Sequence, residues 1–423
     1  LLPTLGALLG MELPEGLPGR DLRPSFEGGT LPGAGLYSES LYGRLNCRWA
    51  PLRGWTRRGV KLVEGGRSEL YELEADPGER RDRSRDEAAR TTGLREELSR
   101  TVAAMAPGGD RAEPRAVSGE AAERLRALGY VAGGGGGGEL DAPGLPDPRD
   151  RLLVFERLRA LSAAAGPALA PALVETAAIG EQEPQNPFAQ EVLAGLAQRA
   201  GRLDLAAGAL ERFLAIEPAR ADARARYGAL LSALGEPARA AVELRRVVTE
   251  VPDDLAARTS LAEALVATGE LGEARTLLDE VLAREPRQRP ARLARGRLHV
   301  AEGRPPEAAR DFEAAAEAGE TDAWLELGEL RLREEHPEAA RQAASRVLAG
   351  SPAHPWALAI TGHARVLEGA RAEGEALLQQ ALRAGPRRQR VWLRLAEGFE
   401  AAGRNDLARR CRAAARTRRA EHT

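Results

Sequence analysis

The back half of this chain repeats itself, and chains that repeat in this way fold by stacking. Glycines stand at Gly201, Gly235, Gly269, Gly303, Gly369 and Gly403, most of them 34 residues from the next. Five residues after each comes a small residue: Ala206, Ala240, Ala274, Ala308, Gly374 and Ala408. Prolines follow twelve residues later at Pro218, Pro252, Pro286, Pro352 and Pro386. One step, from Ala308 to Ala340, is 32 residues; there Glu335 takes the glycine's place and no proline closes the unit. A second small residue recurs earlier in each unit, at Ala194, Gly228, Ala262, Gly296, Gly328, Gly362 and Ala396.

The pattern predicts paired helices at close range. A small residue lets two helices approach, and Leu210, Leu244, Leu278, Phe312 and Leu378 are placed to fill the layer between them. Glycine supplies a left-handed helix stop, and proline starts the next unit. No unit buries its apolar face alone, so the units stack. Period, small positions and closing proline resemble the tetratricopeptide repeat, and Trp324 and Trp392 fall where that family has Trp. The resemblance implies about seven repeats over 187–423, preceded by a degenerate capping helical pair over 151–186, in an all-α superhelical solenoid.

Composition excludes little. A net charge of -2 gives no reason to expect nucleic acid. The two cysteines, Cys47 and Cys411, form no disulfide framework or zinc spacing. The five histidines, His299, His336, His354, His363 and His422, form no metal pair. Residues 161–180 are apolar but carry Glu175, Pro167 and Pro171, so they read as capping helices and not as a membrane span. Six consecutive glycines, Gly133 to Gly138, open a Gly/Pro-rich linker over 133–150. The seven arginines from Arg404 to Arg419 read as the polar outer face of a terminal repeat.

Residues 1–132 read as an α+β piece. Residues 1–10 look like a helix stopped by Gly10, and 14–35 like loop. A strand is expected over Gly35–Ser40, then a hairpin from Leu52–Thr56 and Val60–Val63 around Arg57, Arg58 and Gly59, then a strand over Glu69–Leu73. Helical periodicity covers Ala88–Ala104 and Glu120–Leu128. The sum is a small antiparallel sheet with helices.

These same residues carry a second resemblance. Leu2-Pro3-Thr4-Leu5 with Leu8-Leu9-Gly10 looks like a helix late in the sulfatase catalytic domain, and Leu17 to Leu22 like the loop after it. Tyr37-Ser38-Glu39-Ser40, Gly59 to Val63, Glu69 to Leu73 and Asp76-Pro77-Gly78-Glu79 are similar to that family's C-terminal sheet. Leu128-Gly129-Tyr130-Val131 resembles the helix of sulfatases that carry tetratricopeptide tails. The chain departs from the pattern at Arg80 to Arg83, at Glu72, and at Arg48, where glycine is common.

The resemblance implies a sulfate ester hydrolase of the alkaline phosphatase superfamily. Such enzymes use a formylglycine made from C/S-x-P/A-x-R and a divalent metal, usually calcium, assisted by Lys and His. Neither cysteine sits in that motif: Cys47 is followed by Arg48-Trp49-Ala50-Pro51, and Cys411-Arg412-Ala413 has Ala415 where Arg belongs. No catalytic, metal-binding or cofactor residue is therefore expected in this chain. It begins with Leu1 and is expected to be the C-terminal fragment of a longer enzyme, inactive alone. Glu39 with Tyr37 and Tyr42 reads as structural at the sheet edge, the resemblance implying as the alternative a place beside the substrate cleft of the complete enzyme, and Lys61 reads as a solvent-facing or cleft-side strand residue with no chemistry assigned.

The repeat geometry places Leu293, Arg297, Leu325, Glu329, Arg333, Trp356, His363, Leu393 and Glu397 on the inner face of the array. That mix of apolar and charged groups suits a protein or peptide partner. Leu325 and Arg333 are expected to lie off the helix–helix core, and Trp324 within it. The lysine clamp of chaperone-binding members is absent, because Lys61 is the only lysine. Two other readings stand beside this one: a non-enzymatic interaction scaffold, and a phosphoester hydrolase of the same superfamily.

Overall fold

The structure is a computed structural model that describes residues 2–12, 21–26, 35–105, 144–386 and 388–420. The expected helix over Glu120–Leu128 and the glycine run lie outside the described residues. The chain divides into two compact units, Leu1–Ala200 with Ala215–Ala219, and Gly201–Leu214 with Arg220–Thr423.

The first unit holds a four-stranded antiparallel sheet in the order β1 (Leu36–Ser40), β2 (Leu52–Arg57), β3 (Val60–Glu64), β4 (Ser68–Glu72). Arg58 and Gly59 turn β2 into β3, both with positive φ, and pair Arg57 with Val60. Two positive φ values in a two-residue loop match the right-handed twist of the flanking strands. Trp55, Val60, Leu62 and Leu70 are buried on one side of the sheet. Leu94, Leu98 and Val102 cover them from a helix over Ala88–Met105; four-residue spacing puts all three on one helix face.

Helix α1 (Leu2–Leu9) ends at Gly10, φ 63°, and α2 (Arg23–Phe26) is a single turn. Helix α3 (Tyr42–Cys47) was not legible in the pattern, because six residues are too few to show a period. It stops at Arg48 in the left-handed region, φ 57°. The Arg48 side chain donates to Glu217 at 3.0 Å.

The sheet helix is α4 (Ala88–Met105); α5 (Pro148–Ser162), α6 (Leu169–Gln182) and α7 (Pro187–Arg199) complete the unit. Tyr42 and Trp49 meet Phe155 edge-on with ring centroids 5.3 and 6.5 Å away, and Phe155 meets Phe188 at 5.5 Å. Asp147 caps α5 and also accepts from the Arg67 amide, while Ala50 N–H donates to the Pro146 carbonyl at 2.8 Å. Residues 146–150, read as linker, therefore pack on the sheet region.

Helix α8 (Leu203–Ile216) leads into paired helices: α9 (Ala221–Ala233) with α10 (Pro237–Glu250), α11 (Leu255–Thr268) with α12 (Leu271–Arg284), and α13 (Arg289–Ala301) with α14 (Pro305–Glu317). Then come α15 (Thr321–Arg333) with α16 (Pro337–Gly350), α17 (Pro355–Leu367) with α18 (Arg371–Arg383), and α19 (Gln389–Ala401) with α20 (Asn405–Ala420). The repeated glycines all have positive φ, and Glu335 adopts the same conformation at 59°. The short step has a local cause. Helix α14 is one residue shorter than α12, and three residues instead of four join it to the next helix. Gly319, φ 99°, closes that tighter exit, with Glu320 N–H bonded to the Ala315 carbonyl.

The small positions do what their spacing requires. A Cβ on Gly228 would stand 2.6 Å from Leu244, and one on Gly296 2.4 Å from the Phe312 ring. Leu244, Leu278, Phe312 and Leu378 are all buried. In the unit that follows the short step, α15 with α16, Ala344 occupies the large position, and Ile360 from α17 approaches Gly328 instead.

Candidate functional site

The first helices of successive units, α11, α13, α15, α17 and α19, carry a chain of polar contacts. Arg297 on α13 reaches back to Glu263 on α11 and forward to Glu326 on α15, each at 2.9 Å. Glu326 also accepts from Arg390 on α19. Arg388 bonds Asp322 at 2.8 Å. Arg394 grips both oxygens of Glu329, with Nε at 3.1 and 2.9 Å. The Trp356 indole N–H donates to the same carboxylate at 2.7 Å. Arg390 lies 3.9 Å above the Trp356 ring, a cation–π geometry that also shields the indole. Arg394 further meets Glu397 at 2.6 Å and His363 Nδ1 at 3.0 Å. A guanidinium only donates, so that ring nitrogen is the acceptor and the imidazole is neutral. Burial, then the Arg394 charge, push its pKa down to about 4.

Charge burial explains the other shifts. Burial raises the Glu263 carboxyl despite Arg297. Burial acts the same way on Asp322, but the Arg388 hydrogen bond and the charges of Arg388, Arg390 and Arg297 outweigh it and hold that carboxyl low.

Of the nine residues expected on the inner face, Glu329, Trp356, His363 and Glu397 join this one network through Arg394, and Arg297 joins it through Glu326. Arg333 and Leu393 are exposed. Arg333 borders a cavity of about 80 Å³ with Arg297, Glu326 and Glu329. Three expectations need correction. Leu325 is 0% exposed and sits in the apolar core, as do Leu293 and Trp356. Trp324, expected in the core, packs against it while only partly buried, with Arg346 over its ring at 5.8 Å. The reason is that α15, α17 and α19 share one apolar core, in which Leu325 and Trp356 cluster with Ile360, Val391 and Leu395, while Leu293 clusters with Phe312 and Leu327. Asp322, Glu326, Arg388, Arg390 and Arg394 were missed. Their signal was two stripes, Asp322-Glu326-Glu329 on α15 and Arg390-Arg394 on α19, each on one helix face.

The tetratricopeptide repeat family model matches residues 231–298 and, again, 293–355. Residues 231–355 are tetratricopeptide repeats. No curated protein matches the chain in sequence. Among solved structures, a chain of the APC/C hetero-tetramer Cut9–Hcn1 is 16% identical, with a TM-score of 0.44, over 64% of this chain and 54% of that one. This chain thus spans about half the length of that relative. A tetratricopeptide repeat protein from Parabacteroides merdae is 15% identical, with a TM-score of 0.41, over 53% of this chain and 90% of that one. The type IV pilus biogenesis factor PilW is 21% identical, with a TM-score of 0.38, over 48% and 93%.

The remaining candidate chemical groups are buried or already bonded. Cys47 is buried, and burial followed by the Glu183 charge pushes its thiol up to about 12; burial also raises Cys411. Neither is a reactive thiolate. Lys61 holds Glu79 at 2.7 Å, and the Tyr37 hydroxyl donates to Glu39 at 2.7 Å. Among the described residues, no group of three or more His, Cys, Asp or Glu could hold a metal ion. Among the described residues, no helix is long and apolar enough to cross a membrane.

Proposed function

We propose that the tetratricopeptide array docks a protein or peptide partner on its inner face, and that residues 1–132 are the C-terminal region of a sulfatase-type hydrolase. The repeats themselves support an interaction scaffold, and the observation that carries the docking reading is the inner face itself. It offers an exposed Arg333, Leu393 and Glu397 beside a fixed polar network. A mixed apolar and charged surface on rigid helices suits a peptide, because its hot-spot groups are already positioned. Arg333→Ala with Leu393→Ala should weaken capture from a peptide library at least tenfold and leave the melting temperature unchanged. Unchanged capture by a folded variant would contradict the assignment.

The sulfatase reading draws its support from sequence motifs lying on β1, β3 and β4 of one antiparallel sheet in family order. Formylglycine and calcium would belong to residues other than those described, and no step of chemistry is assigned to this chain. The purified 423-residue chain should not turn over a chromogenic aryl sulfate with calcium. A longer gene product should do so if it carries C/S-x-P/A-x-R. A longer product without any hydrolase core would leave the scaffold reading.

A further inference from the structure

In a solenoid, each unit ordinarily touches only its neighbours. This array breaks that rule on its inner face. Asp322, Glu326 and Glu329 on α15 pair with Arg388, Arg390 and Arg394 at the start and within α19, two units further on, with the whole α17–α18 unit between them. The pairs arch over α17, whose Trp356 is 1% exposed beneath Arg390. We infer that these three ion pairs are a latch that holds the inner face of the last units shut, and that a partner enters only when α15 and α19 separate. This rests on the docking reading above, and adds a regulation to it.

The latch is graded. Arg394 and Glu329 are both buried, with side chains 7% and 11% exposed. Arg388 with Asp322 stands nearer the solvent, while Arg390 with Glu326 is part-buried, the Glu326 side chain being only 14% exposed. Exposed pairs are weak and screened by salt. The Arg388–Asp322 pair should therefore open first, the Arg390–Glu326 pair over the Trp356 ring next and the inner pair last, at which point α15 and α19 separate. Arg297 ties Glu326 to the preceding helix, so the acids stay with α15 when the arginines leave.

The test measures the gap directly. Thr321 and Gln389 are exposed first residues of α15 and α19, and Cys47 and Cys411 are buried. Spin labels on Thr321→Cys and Gln389→Cys report the distance between the helices. In the otherwise native chain this distance should be short at low salt and lengthen at high salt. With Arg388→Gln and Arg390→Gln added, it should be long at low salt. A distance unmoved by salt overturns the latch, whether or not the substituted chain folds. So does an unmoved distance in a substituted chain with native circular dichroism. Peptide capture is scored separately. A gap that opens with no gain in capture keeps the latch and removes the docking reading.

Discussion

Arg394 and Glu329, separated by 65 residues of sequence, form a two-oxygen ion pair in the interior of the array, with Nε 2.9 Å from Oε2. Neither side chain can fall back on water. Removing one partner leaves the other charge buried, which costs about 3–5 kcal/mol. Arg394→Leu should lose roughly that much in urea unfolding, because it strands the buried Glu329 carboxylate, and Glu329→Leu should lose less, because Glu397 still pairs with Arg394. The double replacement should lose distinctly less than the sum of the two single changes. Additive losses in the double-mutant cycle would contradict a direct pairing.

The helix contacts give a ranked prediction. A Cβ on Gly296 would lie 2.4 Å from the Phe312 ring, and one on Gly328 3.2 Å from the Ile360 methyl. Overpacking a close contact costs about 1–3 kcal/mol. Gly296→Ala should fall near the upper end and Gly328→Ala near or below the lower. Adding Phe312→Leu to Gly296→Ala should recover part of the loss, as read from chemical-denaturation midpoints.

Much of this was legible in the residues. Repeat units, helix stops and small contact positions follow from local geometry, and local geometry has a sequence period. The hairpin at Arg58-Gly59 was legible for the same reason. The inner face was legible only in outline. Which residues meet across it depends on the rotation from unit to unit, and that rotation leaves no mark at a single position. Leu325 was placed on the inner face by its offset, which is right for the helix but silent on how closely α17 packs beside it. The Arg390–Glu326 pair joins different offsets of two units, so aligning the repeats does not bring them together.

Glu335 tests the repeat logic at one residue. It stands where the other units have glycine, exposed and at φ 59°. The left-handed conformation costs a non-glycine residue about 1–2 kcal/mol, and glycine's extra freedom when unfolded offsets about 0.5–1 kcal/mol of that. Glu335→Gly should therefore stabilise the array by about 0.5–1 kcal/mol. Glu335→Ala should give no such gain, because alanine keeps the Cβ.

His363 makes the array's stability depend on pH, with a sign that can be worked out. Its ring nitrogen meets Arg394 of α19, which also pairs with Glu397 of α19 and Glu329 of α15. In the folded chain its pKa is pushed down to about 4, first by burial and then by Arg394, against an ordinary 6.5. The unfolded chain therefore takes up a proton as pH falls through 6.5, while the folded chain resists until about 4. Stability from this group is complete above 6.5, declines as pH falls from 6.5 to 4, and is level below that. The full shift corresponds to roughly 3 kcal/mol, and partial solvent access to the ring reduces it to about 1–3 kcal/mol. Carboxylates and His354, which burial also lowers, titrate in part of the same window. The quantity to measure is thus the difference between the native chain and His363→Asn, which keeps an acceptor for Arg394 but does not titrate. That difference in unfolding free energy should be constant above pH 6.5 and shift toward the variant as pH drops to 4. A pH-independent difference would show that His363 is protonated alike in both states and that Arg394 does not face a neutral ring.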